Sequence, residues 1–251
     1  MSAAPALRLH GVRHRYGPTT VLEDIELGVR AGEVVALVGP SGCGKTTLLH
    51  LAAGLLAVQE GRIVQGFERP AVMFQQPRLL PWQRGVDNIA LGLRAAGLGR
   101  HEARRRAAVM GRAMGLDDEA LQAYPTQLSG GMQSRAALAR ALVTEPDLLL
   151  MDEPFAALDI GLRGQMHELL RRHVREHGTA VLMITHDLTE AARLAGEVLV
   201  MGGTPGRIVH RWTPEDNGQG PGDAVAHRAV AALLQRSAVR EAFGLAAAPA
   251  R

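Results

Sequence analysis

Apolar and polar residues alternate between positions 7 and 30 in two runs, LRLHGVRHRY and VLEDIELGVR, with GPTT between them. A period of two places the apolar side chains on one face of a strand, so the pattern predicts an antiparallel pair joined by a turn. EVVALVG (33–39), DLLLMDE (147–153) and TAVLMITHD (179–187) run apolar without alternation, as strands covered on both faces do. Helical runs alternate with them: KTTLLHLAAGLL (45–56) and IGLRGQMHELLRRHVREHG (160–178). That order predicts a parallel sheet with covering helices. From about 84 to 142 the periodicity is helical, rich in Ala and Arg and broken at Gly97, Gly99, Gly115 and Pro125, so a helical subdomain is expected within the α/β core. PEDNGQGPGD (214–223) reads as a linker. AVAHRAVAALLQRSAVREAFGL beyond it reads as one terminal amphipathic helix, with the last few residues frayed.

Composition narrows the function classes. The 251 residues, 47% of them hydrophobic, are enough for a buried core, and no stretch reaches the roughly 20 apolar residues that span a bilayer. The N-terminus lacks the apolar centre of a signal peptide, so a cytoplasmic protein is expected. A single cysteine, Cys43, excludes an intramolecular disulfide and a multi-thiolate zinc cluster. A net charge of +3 and 3% aromatic residues argue against a general nucleic-acid surface. The basic run RHEARRRAAVMGR (100–112) reads instead as a solvated helix face, or as a contact with lipid headgroups or a partner. Of the 28 Lys and Arg residues only Lys45 is lysine, and a compact ammonium is what a tight phosphate-binding loop requires.

Gly39-Pro40-Ser41-Gly42-Cys43-Gly44-Lys45-Thr46 fits the pattern G-x-x-x-x-G-K-[ST] between a buried strand and a helix, with Thr47 following. Its glycines let backbone N–H groups converge on phosphate at a helix N-terminus. Lys45 would reach the β- and γ-phosphates and the Thr46 hydroxyl would bind Mg²⁺. Asp152 and Glu153 end an apolar run at the carboxyl edge of a strand, where open α/β sheets bind ligands. Asp152 suits Mg²⁺, and Glu153 suits polarisation of an attacking water. His186 and Gln75 also follow apolar runs. Alone, His186 reads as a hydrogen-bonded structural histidine; beside the acidic pair it reads as a γ-phosphate contact. Gln75 either satisfies backbone groups or touches metal and water. Ser129-Gly130-Gly131-Met132, within LSGGMQ, opens another helix with hydroxyl and N–H donors. Locally that is an N-cap; as a second phosphate-facing loop it points to a nucleotide held by a partner subunit.

On these residues the chain resembles ABC-transporter ATPase subunits over essentially its whole length. GPSGCGKT looks like their Walker A, LLLMDEP their Walker B, LSGGMQ their signature, Gln75 their Q-loop glutamine, AALD their D-loop and His186 their switch histidine. The resemblance implies an α/β P-loop NTPase of the ABC ATPase type, with an antiparallel β subdomain and an inserted α-helical subdomain. It divides the chain into a first core part (1–83), a helical subdomain carrying the signature (84–142), a second core part (143–210) and a linker with C-terminal helix (211–251). It further implies that Tyr16 stacks on adenine, that Ser129 and Gly131 meet the γ-phosphate of ATP held by a second protomer, and that Asp159 connects the two sites. ATP and Mg²⁺ are the implied cofactors. The implied partners are a second ATPase protomer, membrane permease subunits and an outer solute-binding protein, at the cytoplasmic face of the membrane and without nucleic acid.

FQQPRLLPWQRGVDNIALGL and TPGRI look most like the nitrate, sulfonate and taurine importer group. Pyrimidine precursors of thiamine and bicarbonate stay open as solutes. PRLLPW would face the permease's coupling helix by the same resemblance, although Leu80 and Trp82 fit ordinary packing roles equally well. Three departures stand out: Met132 in place of a commoner Gln, a short stretch from Gly61 to Gln75, and Ala156-Ala157 where Ser is commoner at the second position. They lead us to expect a trimmed hairpin over that stretch and slightly altered contacts between protomers. A non-transport ABC ATPase acting on DNA or the ribosome is the competing class, but the chain has no long heptad run and no second ATPase unit. A nucleotide-binding regulatory subunit with little turnover is disfavoured by Glu153 and His186.

Overall fold

The computed structural model describes residues 7–214 and 223–245; positions 215–222 of the linker predicted over 214–223, and the frayed C-terminal end, lie outside the described residues. Internal contacts divide the chain into two units, Met1–Phe67 with Ala180–Arg251, and Glu68–Thr179.

The first unit holds two sheets. Strands β1 (Leu7–Tyr16) and β2 (Thr19–Val29) pair antiparallel across Gly17-Pro18, from Leu7↔Val29 to Tyr16↔Thr19, as their alternation predicts. Leu7, Leu9, Val12, Leu22, Ile25, Leu27 and Val29 all turn inward. The second sheet is built on β3 (Val34–Val38), every residue of which is buried. Parallel to it on its two sides lie β7 (Ala180–Ile184) and β8 (Glu197–Gly202). Strand β9 (Arg207–Trp212) then adds antiparallel to β8, so the sheet is mixed and not purely parallel. The reason is connection length: four residues separate β8 from β9, enough to reverse the chain but far short of the crossover a parallel pair needs.

Helix α1 (Lys45–Ala52) is shorter than its sequence pattern. Gly54, at φ +69°, turns the chain out of the helix, and Leu55 N–H closes back on the His50 carbonyl at 2.9 Å. Helix α8 (Leu188–Leu194) covers β3. The single C-terminal helix expected from the sequence is two helices, α9 (Asp223–Leu233) and α10 (Ser237–Ala242). Leu233 and Val239 are both buried, yet six residues of straight helix would point them about 120° apart; the break at 234–236 turns both inward.

The trimmed hairpin expected over 61–75 does not form. Its first arm, β4 (Glu60–Gln65), pairs antiparallel with β1 and completes a sheet ordered β2-β1-β4. Its second arm, β5 (Pro70–Met73), pairs parallel with β6 (Leu148–Asp152) in the second unit. The Asp147 carboxylate fixes β5 in this register, accepting from the N–H groups of Glu68 at 2.8 Å and Arg69 at 2.9 Å.

The rest of the second unit is helical: α2 (Gly85–Ile89), α3 (Leu91–Ala95), α4 (Arg100–Ala113), α5 (Asp118–Gln122), α6 (Gly130–Leu142) and α7 (Ile160–His177). The basic run forms α4 and is largely paired. Glu102 bridges Arg105 at 2.7 Å and Arg106 at 2.8 Å, Arg104 reaches Asp87 at 2.9 Å, and Arg112 reaches Asp118 at 2.6 Å. The two guanidinium groups hold the Glu102 carboxyl down at about 2. This is the ion-paired, solvated face that the sequence allowed for, with little effect on stability. Among the described residues, no helix is long and apolar enough to cross a membrane.

Candidate active site

In the first unit the phosphate-binding loop leaves the carboxyl end of β3 and re-enters structure at α1. Two glycines are dictated by geometry. A side chain on Gly39 would run into the Met201 carbonyl oxygen, and Gly44, at φ +98°, would put a Cβ 2.7 Å from Leu22 Cδ2. Gly44 is the N-cap of α1 and no side chain caps that helix, so its first-turn N–H groups keep their capacity for an anion. Ser41, Gly42 and Thr46 are exposed beside them. The Lys45 side chain, 8% exposed, lies back along the loop: Nζ donates to the carbonyls of Gly39 at 2.9 Å and Pro40 at 2.8 Å, with Cys43 Sγ at 4.0 Å. Burial pushes the Cys43 thiol up against the opposing pull of the Lys45 ammonium, which keeps it neutral at physiological pH. Exposed N–H donors around a positioned ammonium fit a polyphosphate.

His186 comes to the same edge of the sheet. β3 and β7 are parallel and in register, with Leu37 opposite Ile184, so the phosphate loop and Thr185-His186 leave the sheet side by side. Thr185 N–H donates to the Leu37 carbonyl at 3.2 Å. Asp187 caps α8 by accepting from Thr189 and Glu190 N–H, which holds the exposed His186 on a short rigid link. Tyr16 stands at the end of β1, 51% exposed, its ring edge-on to His14 at a centroid distance of 4.9 Å.

In the second unit the parallel pair β5 and β6 does the same for Gln75 and the acidic pair. Met73 is opposite Met151, so Gln75 and Glu153 emerge together and Gln75 Nε2 donates to Glu153 Oε2 at 3.3 Å. Asp152 is the last, buried residue of β6. Glu153 sits at φ +47°, a left-handed conformation that costs a side-chain-bearing residue about 1–3 kcal/mol and is concentrated at functional sites. The turn then buries Phe155 against His167 with ring centroids 4.8 Å apart, anchoring the chain just beyond the carboxylate.

Ser129 is the N-cap of α6 and accepts from Met132 N–H at 3.2 Å. Ser129 and Gly130 are exposed, and a side chain on Gly130 would meet nothing within 4 Å. Gly131 faces the Ala157 carbonyl and Leu158, so the signature lies against the D-loop of its own unit. Asp159 caps α7 by accepting from Leu162 N–H at 2.9 Å.

The loop after Gln75 is held by residues that motif reading passes over. Arg140 donates to the carbonyls of Pro77 at 2.7 Å and Arg78 at 2.9 Å. Fully buried Asn88 accepts from Leu80 N–H and donates to the carbonyls of Leu80, Gln83 and Arg84. Gln133 ties the signature to Pro125 and Leu128 in the same way. Trp82, clamped within this loop, is 70% exposed, which removes the packing role open to it from sequence.

The model of the ABC transporter family matches residues 22–156, more than half of the chain. The chain belongs to the ABC transporter family. The aliphatic sulfonates import ATP-binding protein SsuB of Mycobacterium avium is 46% identical over 229 residues, covering 90% of this chain and 89% of that protein. SsuB of Granulibacter bethesdensis is 45% identical over 249 residues, covering 98% of this chain and all of that protein. A dimeric ATP-binding cassette solved in a post-hydrolysis state with ADP and Pi matches with a TM-score of 0.77 and 27% identity, over 83% of this chain and 99% of the cassette. This ABC protein is therefore an ATP-binding, ATP-hydrolysing enzyme with the P-loop α/β core expected from its motifs. Its relatives also bear out the nitrate, sulfonate and taurine importer group as its surroundings within the family.

Proposed function

We propose that this ABC ATPase energises uptake of an aliphatic sulfonate through a membrane permease. The observation that carries the solute class is likeness to sulfonate import subunits across nearly the whole chain. The test is growth of cells lacking this subunit on single sulfur sources. Loss of growth on ethanesulfonate with retained growth on sulfate is expected. Normal growth on sulfonates, with a defect on nitrate, bicarbonate or thiamine-precursor supply instead, would move the solute to that class. The protein works at the cytoplasmic face of the membrane, with a solute-binding protein on the other side.

In this reading, Lys45 and the N–H groups of the 39–47 loop bind the ATP phosphates, and Tyr16 takes the adenine. Thr46 and Asp152, with Gln75, would hold Mg²⁺, whose charge would offset that developing on the phosphate oxygens. Glu153 polarises the attacking water and His186 contacts the γ-phosphate. Exposed Ser129, with Gly131 two residues on, receives the nucleotide of a second copy arranged head to tail, and Asp159 communicates between the two sites. Exposed Trp82, on a loop braced by Arg140 and Asn88, faces the permease.

A Ser129→Arg variant separates binding from closure. It is expected to bind ATP with parental affinity by titration calorimetry, because the phosphate loop is untouched. It should fail to dimerise with ATP in size-exclusion chromatography. Dimerisation at parental levels would rule out the signature as the partner-facing loop.

A further inference from the structure

Strand β1 carries His14 two residues before Tyr16. His14 is 4% exposed, and among the described residues neither ring nitrogen has a hydrogen-bond partner. Buried polar groups without partners are rare and call for a functional explanation. Two neighbours give this one a role. The imidazole lies edge-on to Tyr16, at a centroid distance of 4.9 Å and an interplanar angle of 82°, the favourable geometry for an aromatic pair. Across the sheet His14 is opposite Leu22, whose Cδ2 closes over Gly44 at the head of α1. Exposed Tyr16 thus rests on a buried ring whose cross-strand partner, Leu22, lines the phosphate loop.

We propose that His14 is a positioning residue for nucleotide recognition, fixing the Tyr16 ring so that the base stacks on it while the phosphates occupy the loop. The proposal rests on the assignment of Tyr16 to adenine. Because the ring nitrogens make no bond within the described fold, the ring's shape carries the effect, and phenylalanine should replace it.

The experiment compares affinities for ATP and for inorganic tripolyphosphate, by titration calorimetry, in His14→Ala, His14→Leu, His14→Phe, Tyr16→Ala and the His14→Ala/Tyr16→Ala double variant. Stacking contacts set the scale: His14→Ala and His14→Leu should weaken ATP about 5- to 10-fold and leave tripolyphosphate unchanged. His14→Phe should stay within about twofold of the parent. The double variant should match Tyr16→Ala, since residues acting through one contact are not additive. Equal weakening of ATP and tripolyphosphate would mean a purely structural role and overturn the proposal, as would parental ATP affinity in His14→Leu alongside a weakened Tyr16→Ala. Weakening in His14→Phe equal to that in His14→Leu would overturn it too. Parental affinity in Tyr16→Ala would instead remove the stacking assignment on which the proposal stands. His14→Leu and His14→Phe keep the core filled, so the comparison survives if the alanine variant does not fold.

Discussion

A Glu153→Gln variant is expected to bind ATP as the parent does while its steady-state hydrolysis falls by about 100-fold or more, the range over which a positioned general base acts. The substitution keeps the size of the side chain and an oxygen able to accept from Gln75 Nε2, now at 3.3 Å. It also leaves the left-handed backbone of residue 153 and the Phe155 anchor in place, so folding should be preserved. Only the negative charge, which in the proposed role draws a proton from water, is lost. Bound ATP then persists, and the proposed head-to-tail dimer should accumulate. Phosphate release measures the first effect and size-exclusion chromatography with MgATP the second. Parental turnover would take the water-polarising role from Glu153, and slow turnover without any dimer would dissociate hydrolysis from closure.

The parts of this site legible in the sequence are those whose position is set by their immediate neighbours along the chain. Val34–Val38, the loop and Lys45 form one continuous strand, turn and helix, so the phosphate loop could be placed from apolar pattern and glycine spacing. Asp152 and His186 were likewise fixed by the ends of apolar runs. What supports these residues was not legible, because it depends on pairing between distant segments. Arg140 reaches the carbonyls of Pro77 and Arg78 across more than 60 positions, and nothing in SRAALARALV distinguishes that arginine from its neighbours. His14 looks like one more polar position in a half-exposed strand until its register with Leu22 buries it beneath Tyr16. The fold shows the same division. The alternation of β1 and β2 predicted their pairing, whereas β4 and β5 are adjacent in sequence but join different partners, because Asp147 holds Glu68 and Arg69 beside β6. Neither β8 nor β9 is among the expected strands, although the EVLVMG run of β8 carries a buried-strand signal. β9 carries none, since its residues alternate between exposed and half-buried along a sheet edge.

Lys45→Ala is expected to weaken MgATP binding about 100-fold or more, the largest loss of affinity from any single change in the chain. Hydrogen bonds from an ammonium to charged acceptors contribute roughly 1.5–3 kcal/mol each, and about 1.4 kcal/mol is a factor of ten in affinity. The same change strips a donor from the carbonyls of Gly39 and Pro40, so the loop loses its internal brace as well as its charge. Lys45→Arg should not rescue binding. The guanidinium is a flat fork, and the space between those two carbonyls, 2.9 and 2.8 Å from one nitrogen, suits a single compact donor group. Calorimetry with both variants checks the affinities, and parental binding by Lys45→Ala would remove the phosphate-loop assignment. Because the sequence contains no other lysine, amine acylation followed by mass spectrometry reads Lys45 without interference from other side chains. Saturating MgATP should slow that modification in the parent, as phosphate replaces the loop carbonyls around Nζ. An equal rate with and without nucleotide would mean that the ammonium stays folded against its own loop and never reaches the phosphates.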